Sequence, residues 1–286
     1  MSVDVLQKKI RKLKNPSMLL FTMDTDLVPL AYLDVATDAL SAYGLYAKAL
    51  LETLKDCIPA VRFDFSTFAL WGTEGLELLT QLLACAKEQS YYILLDAPAN
   101  LTPKAAVLSA DALTRNWAFD GLLLNCYVGS DGVKPFVEVV KDSEQDLFFA
   151  LRSANKSAPE LQDLLTGTRL VYTVAADMAK RLGEDLVGRC GYSRIAGVGP
   201  ATSAESLQLL RSKYPAMFFM IDGYDYSGAN AKNCSFAFDQ LGHGAIACAG
   251  ESILSAWQEE TGSPVELALQ AAERMKKNLT RYIAIL

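Results

Sequence analysis

The sequence predicts an α/β protein folded as a single (β/α)₈ TIM barrel, and three observations support this. Short apolar runs rich in β-branched and aromatic residues alternate with segments of helical periodicity along the whole chain. Such runs are apolar at nearly every position, as expected of strands covered by helices outside and packed side chains inside. Eight of them occur, at residues 18–24, 60–66, 91–97, 121–127, 147–153, 193–199, 216–222 and 244–250.

Segments between the runs have apolar residues three and four positions apart, which indicates amphipathic helices. Clear examples are residues 33–56, 73–89, 103–116, 203–212 and 230–240. Within residues 1–16, an amphipathic helix with a Lys/Arg face is expected to cap the barrel rather than lie on a membrane surface. Residues 264–286 should form a closing helix. No composition break divides 1–286, so one domain is predicted.

Composition and charge exclude several classes of protein. The 286 residues are 51% hydrophobic and carry a net charge of −6, which leaves no basic face for nucleic acid. No apolar run approaches the roughly 20 residues that span a bilayer. The six cysteines are scattered without a C-x-x-C pair, and the first segment is not signal-like. We therefore expect reduced thiols and a cytoplasmic protein without nucleic-acid or membrane partners.

A single histidine, His243, precedes the last predicted strand. That position lies at the bottom of the barrel, opposite the face where barrel enzymes place their chemistry. The sequence therefore argues against Ser-His-Asp or Cys-His catalysis and against multi-histidine zinc sites. Cys126 and Cys248 are expected near the mouth, as buried filler rather than as reactive thiols.

Polar residues at the ends of the predicted strands define a candidate site, because active sites of such barrels form there. If the acidic ones converge, the pocket should prefer a cationic or polyhydroxyl ligand over a phosphate, with Arg62 and Arg152 as counter-charges. The alternative is that they only form turns. No chelating spacing is present, so neither a metal nor a cofactor is expected. The candidates are Thr22, Asp24, Asp26, Arg62, Asp64, Asp96, Asn100, Asn125, Arg152, Asn155, Asp222, Tyr224, Asp225 and Glu251.

Short motifs follow one another in a defined order from Asn15 to about Trp257. They are Asn15-Pro16, Ala60-Val61, Asp96-Ala97, Tyr127-Val128-Gly129, the stretch from Arg152 to Ser157, Ala201-Thr202, Gly223-Tyr224 and Gly244-Ala245-Ile246. Their order and spacing resemble the longer bacterial branch of the orotidine 5′-phosphate decarboxylase family. This resemblance implies the same barrel fold. It also implies a homodimer with the catalytic loops at its interface.

The family's reaction depends on a Lys-Asp-Lys array and an Asp from the second subunit, with the signature D-A-K-R-G-D-I. In the matching stretch, Pro98 occupies the proton-donating Lys position and Leu101 the cross-subunit Asp position. Arg62 replaces the other Lys and stays protonated at any working pH. Only Asp96 is retained. Since neither Pro98 nor Leu101 can transfer a proton, this resemblance predicts no turnover of orotidine 5′-phosphate.

Residues that the family uses to bind substrate are replaced as well. Glu251 occupies the position of the phosphate-binding Arg and Ser227 that of a Gln, which exchanges a phosphate clamp for a repulsive charge. Thr22 replaces an Asp that contacts ribose. An alignment slip that made Lys104 the catalytic lysine is disfavoured, because Pro103 predicts a helix start there.

The sequence is compatible with three functions. The first is a noncatalytic family member that acts as a binding, regulatory or interaction protein. The second is an enzyme of different chemistry that uses Asp64, Asp96 or Asp222 as acid or base. The third is the family's own decarboxylase of pyrimidine biosynthesis. In a mixed dimer with an active subunit, Leu101 should impair the partner's site.

Overall fold

The computed structural model describes residues 2–97, 100 and 102–285, in which eight parallel strands close into a barrel. The barrel strands are β1 (Ser17–Phe21), β2 (Ala60–Asp64), β3 (Tyr92–Asp96), β4 (Gly121–Leu124), β5 (Asp146–Ala150), β8 (Ser193–Pro200), β9 (Met217–Asp222) and β10 (Ala245–Ala249). Around the barrel they pair in the order β1-β10-β9-β8-β5-β4-β3-β2, so the predicted single-domain (β/α)₈ fold is confirmed. A hairpin of β6 (Leu165–Thr166) and β7 (Arg169–Leu170) follows β5.

Helices cover the outside of the barrel, and one of them is much shorter than predicted. Only residues 231–235 of the predicted 230–240 segment are helical, which leaves the outer layer thin after β9. The helices are α1 (Ser2–Leu13), α2 (Leu30–Leu33), α3 (Ala39–Leu54), α4 (Phe65–Ala69), α5 (Gly72–Glu88), α6 (Pro103–Asn116), α7 (Ser130–Lys141), α8 (Val171–Leu182), α9 (Ala204–Lys213), α10 (Ala231–Ser235), α11 (Glu251–Leu254) and α12 (Pro264–Thr280).

Several strands end earlier than their apolar runs predicted, because a polar side chain caps the turn that follows. The Asp64 carboxylate accepts a hydrogen bond from the Ser66 N–H, so α4 begins where the strand was expected to continue. Asp24 and Asn125 cap short 3₁₀ turns after β1 and β4 in the same way. These caps place Asp24, Asp64 and Asn125 at the ends of their strands.

Helix α1 lies across the N-terminal end of the barrel. Its Leu6 and Ile10 side chains are fully buried. The Gln7 Oε1 accepts a hydrogen bond from the Gly244 N–H just before β10, and Asp4 accepts one from the Cys190 N–H just before β8. Its basic residues therefore face solvent. Among the described residues, no helix combines the length and apolarity needed to cross a membrane.

Candidate functional site

The centre of the barrel mouth is occupied by the guanidinium of Arg62. In the barrel order, β1 and β10 separate β2 from β9, so the Arg62 side chain must cross the interior to reach β9. There its Nη1 donates to Asp222 Oδ1 at 2.9 Å, while its Nη2 donates to Asp96 Oδ2 at 2.5 Å. The Arg62 side chain is 9% exposed, and those of Asp96 and Asp222 are 22% and 32% exposed. This ion triad ties three strands together.

The triad keeps Arg62 charged. Burial by itself would lower the pKa of Arg62, but the carboxylates of Asp222 and Asp96 raise it well above its usual value. Cys248 on β10 lies beside the guanidinium, and burial raises the pKa of its thiol to about 12 despite that neighbouring charge. The pKa of Cys126 is also raised to about 12 by burial. The expected role of both cysteines as unreactive core residues is therefore supported.

Asp64 lies next to the triad but outside it. Its Cα is the register partner of Asp96 on the neighbouring strand. Burial, followed by repulsion from Asp96, raises the pKa of Asp64, and the Ser66 N–H and Arg62 oppose this only in part. The mouth thus holds two carboxylates paired with arginine, those of Asp96 and Asp222, and a third, that of Asp64, whose pKa is raised. Two carboxyl groups in unequal environments are the usual arrangement for an acid and a base.

Asp64→Asn is expected to raise the free energy of unfolding at pH 7 by roughly 0.2–1 kcal/mol, the range for side-chain pairs on neighbouring strands. Folding raises the pKa of Asp64 above its ordinary 3.8, so the ionised carboxylate destabilises the folded protein at higher pH. This destabilisation disappears at a pH low enough for Asp64 to be protonated in both the folded and the unfolded protein. Urea denaturation should therefore show a smaller gain at about pH 4. The exposed Asp185→Asn serves as control, and an equal gain at both pH values would contradict the assignment.

Arg152 does not serve as a counter-charge for the mouth carboxylates, which corrects the sequence-based expectation. Its Nε and Nη2 donate to both carboxylate oxygens of Asp163, at 2.8 and 2.9 Å. The neighbouring Gln162 Oε1 accepts from the Ser153 N–H at 2.8 Å. These contacts fasten the segment after β5 against the barrel. Asp163 was missed by the sequence argument, because nothing in the spacing of the two residues distinguishes it from other surface acids.

Four other candidates form hydrogen bonds with the backbone or side chains around them and do not converge on a pocket. Asp24 is exposed and accepts a hydrogen bond from the Asp26 N–H, while exposed Asn125 accepts one from the Tyr127 N–H. The exposed Asn155 amide donates to Ser157 Oγ. The backbone of Thr22 accepts from the Tyr43 hydroxyl. The structure thus brings together Arg62, Asp64, Asp96 and Asp222, and not the whole acidic group.

The loop after β9 directs its side chains to different places. Gly223 has a φ of +74°, and a Cβ there would lie 2.3 Å from Ala154, so the chain turns sharply after Asp222. Asp225 Oδ2 accepts from the Gly250 N–H at 2.7 Å, which fixes the loop to the end of β10. Tyr224 faces outward to α12, where it lies near Asn278. The prediction that Tyr224 lines the mouth is wrong.

The remaining candidates lie on the rim or outside the described residues. Ser227 is exposed in the loop after β9, and Glu251 is exposed in the first turn of α11. Pro98 and Leu101 lie outside the described residues. Between them, Asn100 is fully buried and its Nδ2 donates to the Asn125 carbonyl.

Lys104 is not a replacement for the lysine missing at position 98. Thr102 caps α6, Pro103 is its first residue, and Lys104 is exposed in its first turn. This is the placement that the sequence predicted. His243 likewise lies at the bottom of the barrel, where its N–H donates to Asp239.

Fold and site define the class of this protein: a parallel (β/α)₈ barrel whose charged side chains meet at the carboxyl ends of its strands. No family model matches the chain. Curated orotidine 5′-phosphate decarboxylases are nevertheless similar to it in sequence. The protein from Clostridium acetobutylicum is 28% identical over 268 residues, covering 91% of this chain and 93% of the relative. That of Clostridium novyi is 25% identical over 286 residues, covering 98% of each.

Solved structures agree with the sequence relatives. The Leishmania donovani OMP decarboxylase has a TM-score of 0.75 at 20% identity, covering 97% of this chain and 98% of that one. The Plasmodium berghei orotidine 5′-monophosphate decarboxylase has a TM-score of 0.79 at 12% identity, covering 99% of each chain. The sequence relatives thus point to the orotidine 5′-phosphate decarboxylase family, and the solved structures show the same barrel fold.

Proposed function

We propose that this chain is a decarboxylase-family barrel that does not decarboxylate orotidine 5′-phosphate and serves instead as a binding or regulatory protein. The observation that carries this is the Arg62 triad. Asp96, the one catalytic position retained in the sequence, is ion-paired with Arg62, whose raised pKa prevents it from giving up a proton. The substitutions Pro98, Leu101 and Glu251 support the same conclusion.

Purified protein at high concentration should release no carbon dioxide from orotidine 5′-phosphate above the uncatalysed background, since several groups that must act together are replaced. The Clostridium acetobutylicum relative serves as the positive control. Turnover that persists in the wild-type chain and is abolished by Asp96→Asn would contradict the proposal. Testing Asp96→Asn separates activity of this chain from that of a contaminant.

A second candidate function is an enzyme of different chemistry, and the unequal carboxyl groups of Asp64 and Asp96 favour it. In that case Asp64 is the group that gains and loses a proton at the mouth, while Asp96 is held in an ion pair with Arg62. Asp64→Asn would then abolish the reaction although it stabilises the fold.

The ligand of the mouth is proposed to be cationic or polyhydroxyl. Asp64, Asp96 and Asp222 face a single arginine, since Arg152 is neutralised by Asp163. This excess of negative charge should attract an amine and repel a phosphate. A thermal-shift comparison of spermidine with uridine monophosphate tests the preference; greater stabilisation by the nucleotide would contradict it.

A cytoplasmic homodimer is also proposed. Large apolar side chains are exposed on helices and turns that follow four consecutive strands, β1 to β4, at the mouth: Leu30 is 68% exposed, Leu70 86%, Leu108 63% and Tyr127 40%. Such a rim fits an interface with a second copy. Light scattering that gave the mass of a monomer would contradict the dimer. The six cysteines, all free thiols, agree with a reducing compartment.

A further inference from the structure

The outer wall of the barrel has an open groove after β9. Helix α10 spans only five residues there, and the groove of about 520 Å³ lies between the loop before α10 and the end of α12. This groove is separate from the mouth, because Asp222 points into the barrel while Tyr224, two residues later, points out. Its polar lining consists of Tyr224, Asn230, Lys232, Asn278, Arg281 and Tyr282.

Both charged residues that line the groove are cations. Within the part of the chain that the structure describes, neither Lys232 nor Arg281 makes an ion pair. Arg281 follows the last residue of α12, where a cation is favoured by the helix dipole, and Lys232 lies in the five-residue helix α10. In a protein with a net charge of −6, this local positive charge favours an anionic ligand.

Two phenol rings accompany the cations. Tyr224 is half-buried, and burial raises its pKa to about 12, so the ring remains neutral at physiological pH. Tyr282 is 49% exposed. Tyrosines of this kind offer a planar apolar face together with a polar hydroxyl, which suits stacking against another ring. The amide of Asn278 lies in the same groove as both rings.

The geometry points to a binding site on the outer wall for a small anion that carries an aromatic ring, such as an aryl phosphate. Lys232 and Arg281 bind the anionic group, and Tyr224 and Tyr282 contact the ring. The site does not depend on the chemistry of the mouth.

Phenyl phosphate is the probe for this site, with inorganic phosphate as the ring-free comparison. It should raise the melting temperature of the wild-type protein, and Lys232→Gln with Arg281→Gln should weaken its binding by about tenfold or more. The matched control is Lys276→Gln with Lys277→Gln, which removes the same charge from α12 at residues that do not line the groove. The control should bind phenyl phosphate like the wild type.

Equal loss of binding in both double variants would overturn the proposal, because it would show only a general charge effect. Unchanged binding by the Lys232/Arg281 variant would overturn it as well. Tyr282→Ala should weaken phenyl phosphate more than inorganic phosphate; equal weakening would contradict the aromatic part. Urea denaturation without ligand establishes that each variant is folded.

Discussion

Replacing Arg62 with methionine is expected to lower the free energy of unfolding by about 3 kcal/mol. The substitution leaves Asp96 and Asp222 facing each other across the mouth without a counter-charge. The loss should fall at the lower end of the range for breaking a buried ion pair, because 22% and 32% of these two side chains are exposed and water can solvate them. Chemical denaturation at pH 7 measures it.

The control for Arg62→Met neutralises the whole triad. Adding Asp96→Asn and Asp222→Asn should recover most of the lost stability, since replacing every member of a buried ionic group is often nearly neutral. Arg62→Lys should be intermediate, because a lysine keeps the charge but not the two-sided geometry. If Arg62→Met were as stable as the wild type, the triad would not exist in solution, and the main support for the noncatalytic assignment would be lost.

Replacing Arg211 with methionine should destabilise the other end of the barrel by a similar amount, about 3 kcal/mol. The Arg211 guanidinium on α9 lies 4.6 Å from the centre of the Phe219 ring and donates hydrogen bonds to four backbone carbonyls. The acceptors are Pro215 at 2.9 Å, Met217 at 3.0 Å, Ala237 at 2.7 Å and Gly244 at 2.7 Å. Burial lowers its pKa to about 10, so it remains charged at neutral pH.

The comparison variant for Arg211 is Arg274→Met on α12. Arg274 is half-exposed and pairs with Glu260 at 3.4 Å, so its replacement should change stability by no more than about 0.5 kcal/mol. The loss of stability for Arg211→Lys should lie between those for Arg274→Met and Arg211→Met, because an ammonium group cannot donate to all four carbonyls. A loss for Arg274→Met equal to that for Arg211→Met would mean that the carbonyl contacts contribute nothing specific.

Much of the fold followed from local pattern. Apolar runs located all eight strands, since a strand covered on both faces must be apolar along its length. Strand ends were less well predicted, because the capping bonds of Asp24, Asp64 and Asn125 end the strands while the apolar pattern continues. The short α10 was also unexpected, since its apolar spacing continues beyond Ser235.

The candidate site was predicted only in part. Strand-end position correctly indicated that Arg62, Asp64, Asp96 and Asp222 face the mouth, because the carboxyl ends of parallel strands share one face of the barrel. The location of Arg152 at the end of a strand could not indicate that it pairs with Asp163, eleven residues further along the chain.

The sequence by itself determined the barrel, its eight strands, the polar residues at their ends and the absence of a lysine at position 98. The tertiary structure alone decided which of those polar residues meet. Arg62 and Asp222 are 160 residues apart in the chain, and only closure of the barrel brings them within 2.9 Å. The turn at Gly223 likewise sends Tyr224 to the outer wall. Pairing across a closed barrel depends on the curvature of the whole sheet, which no local pattern of residues records.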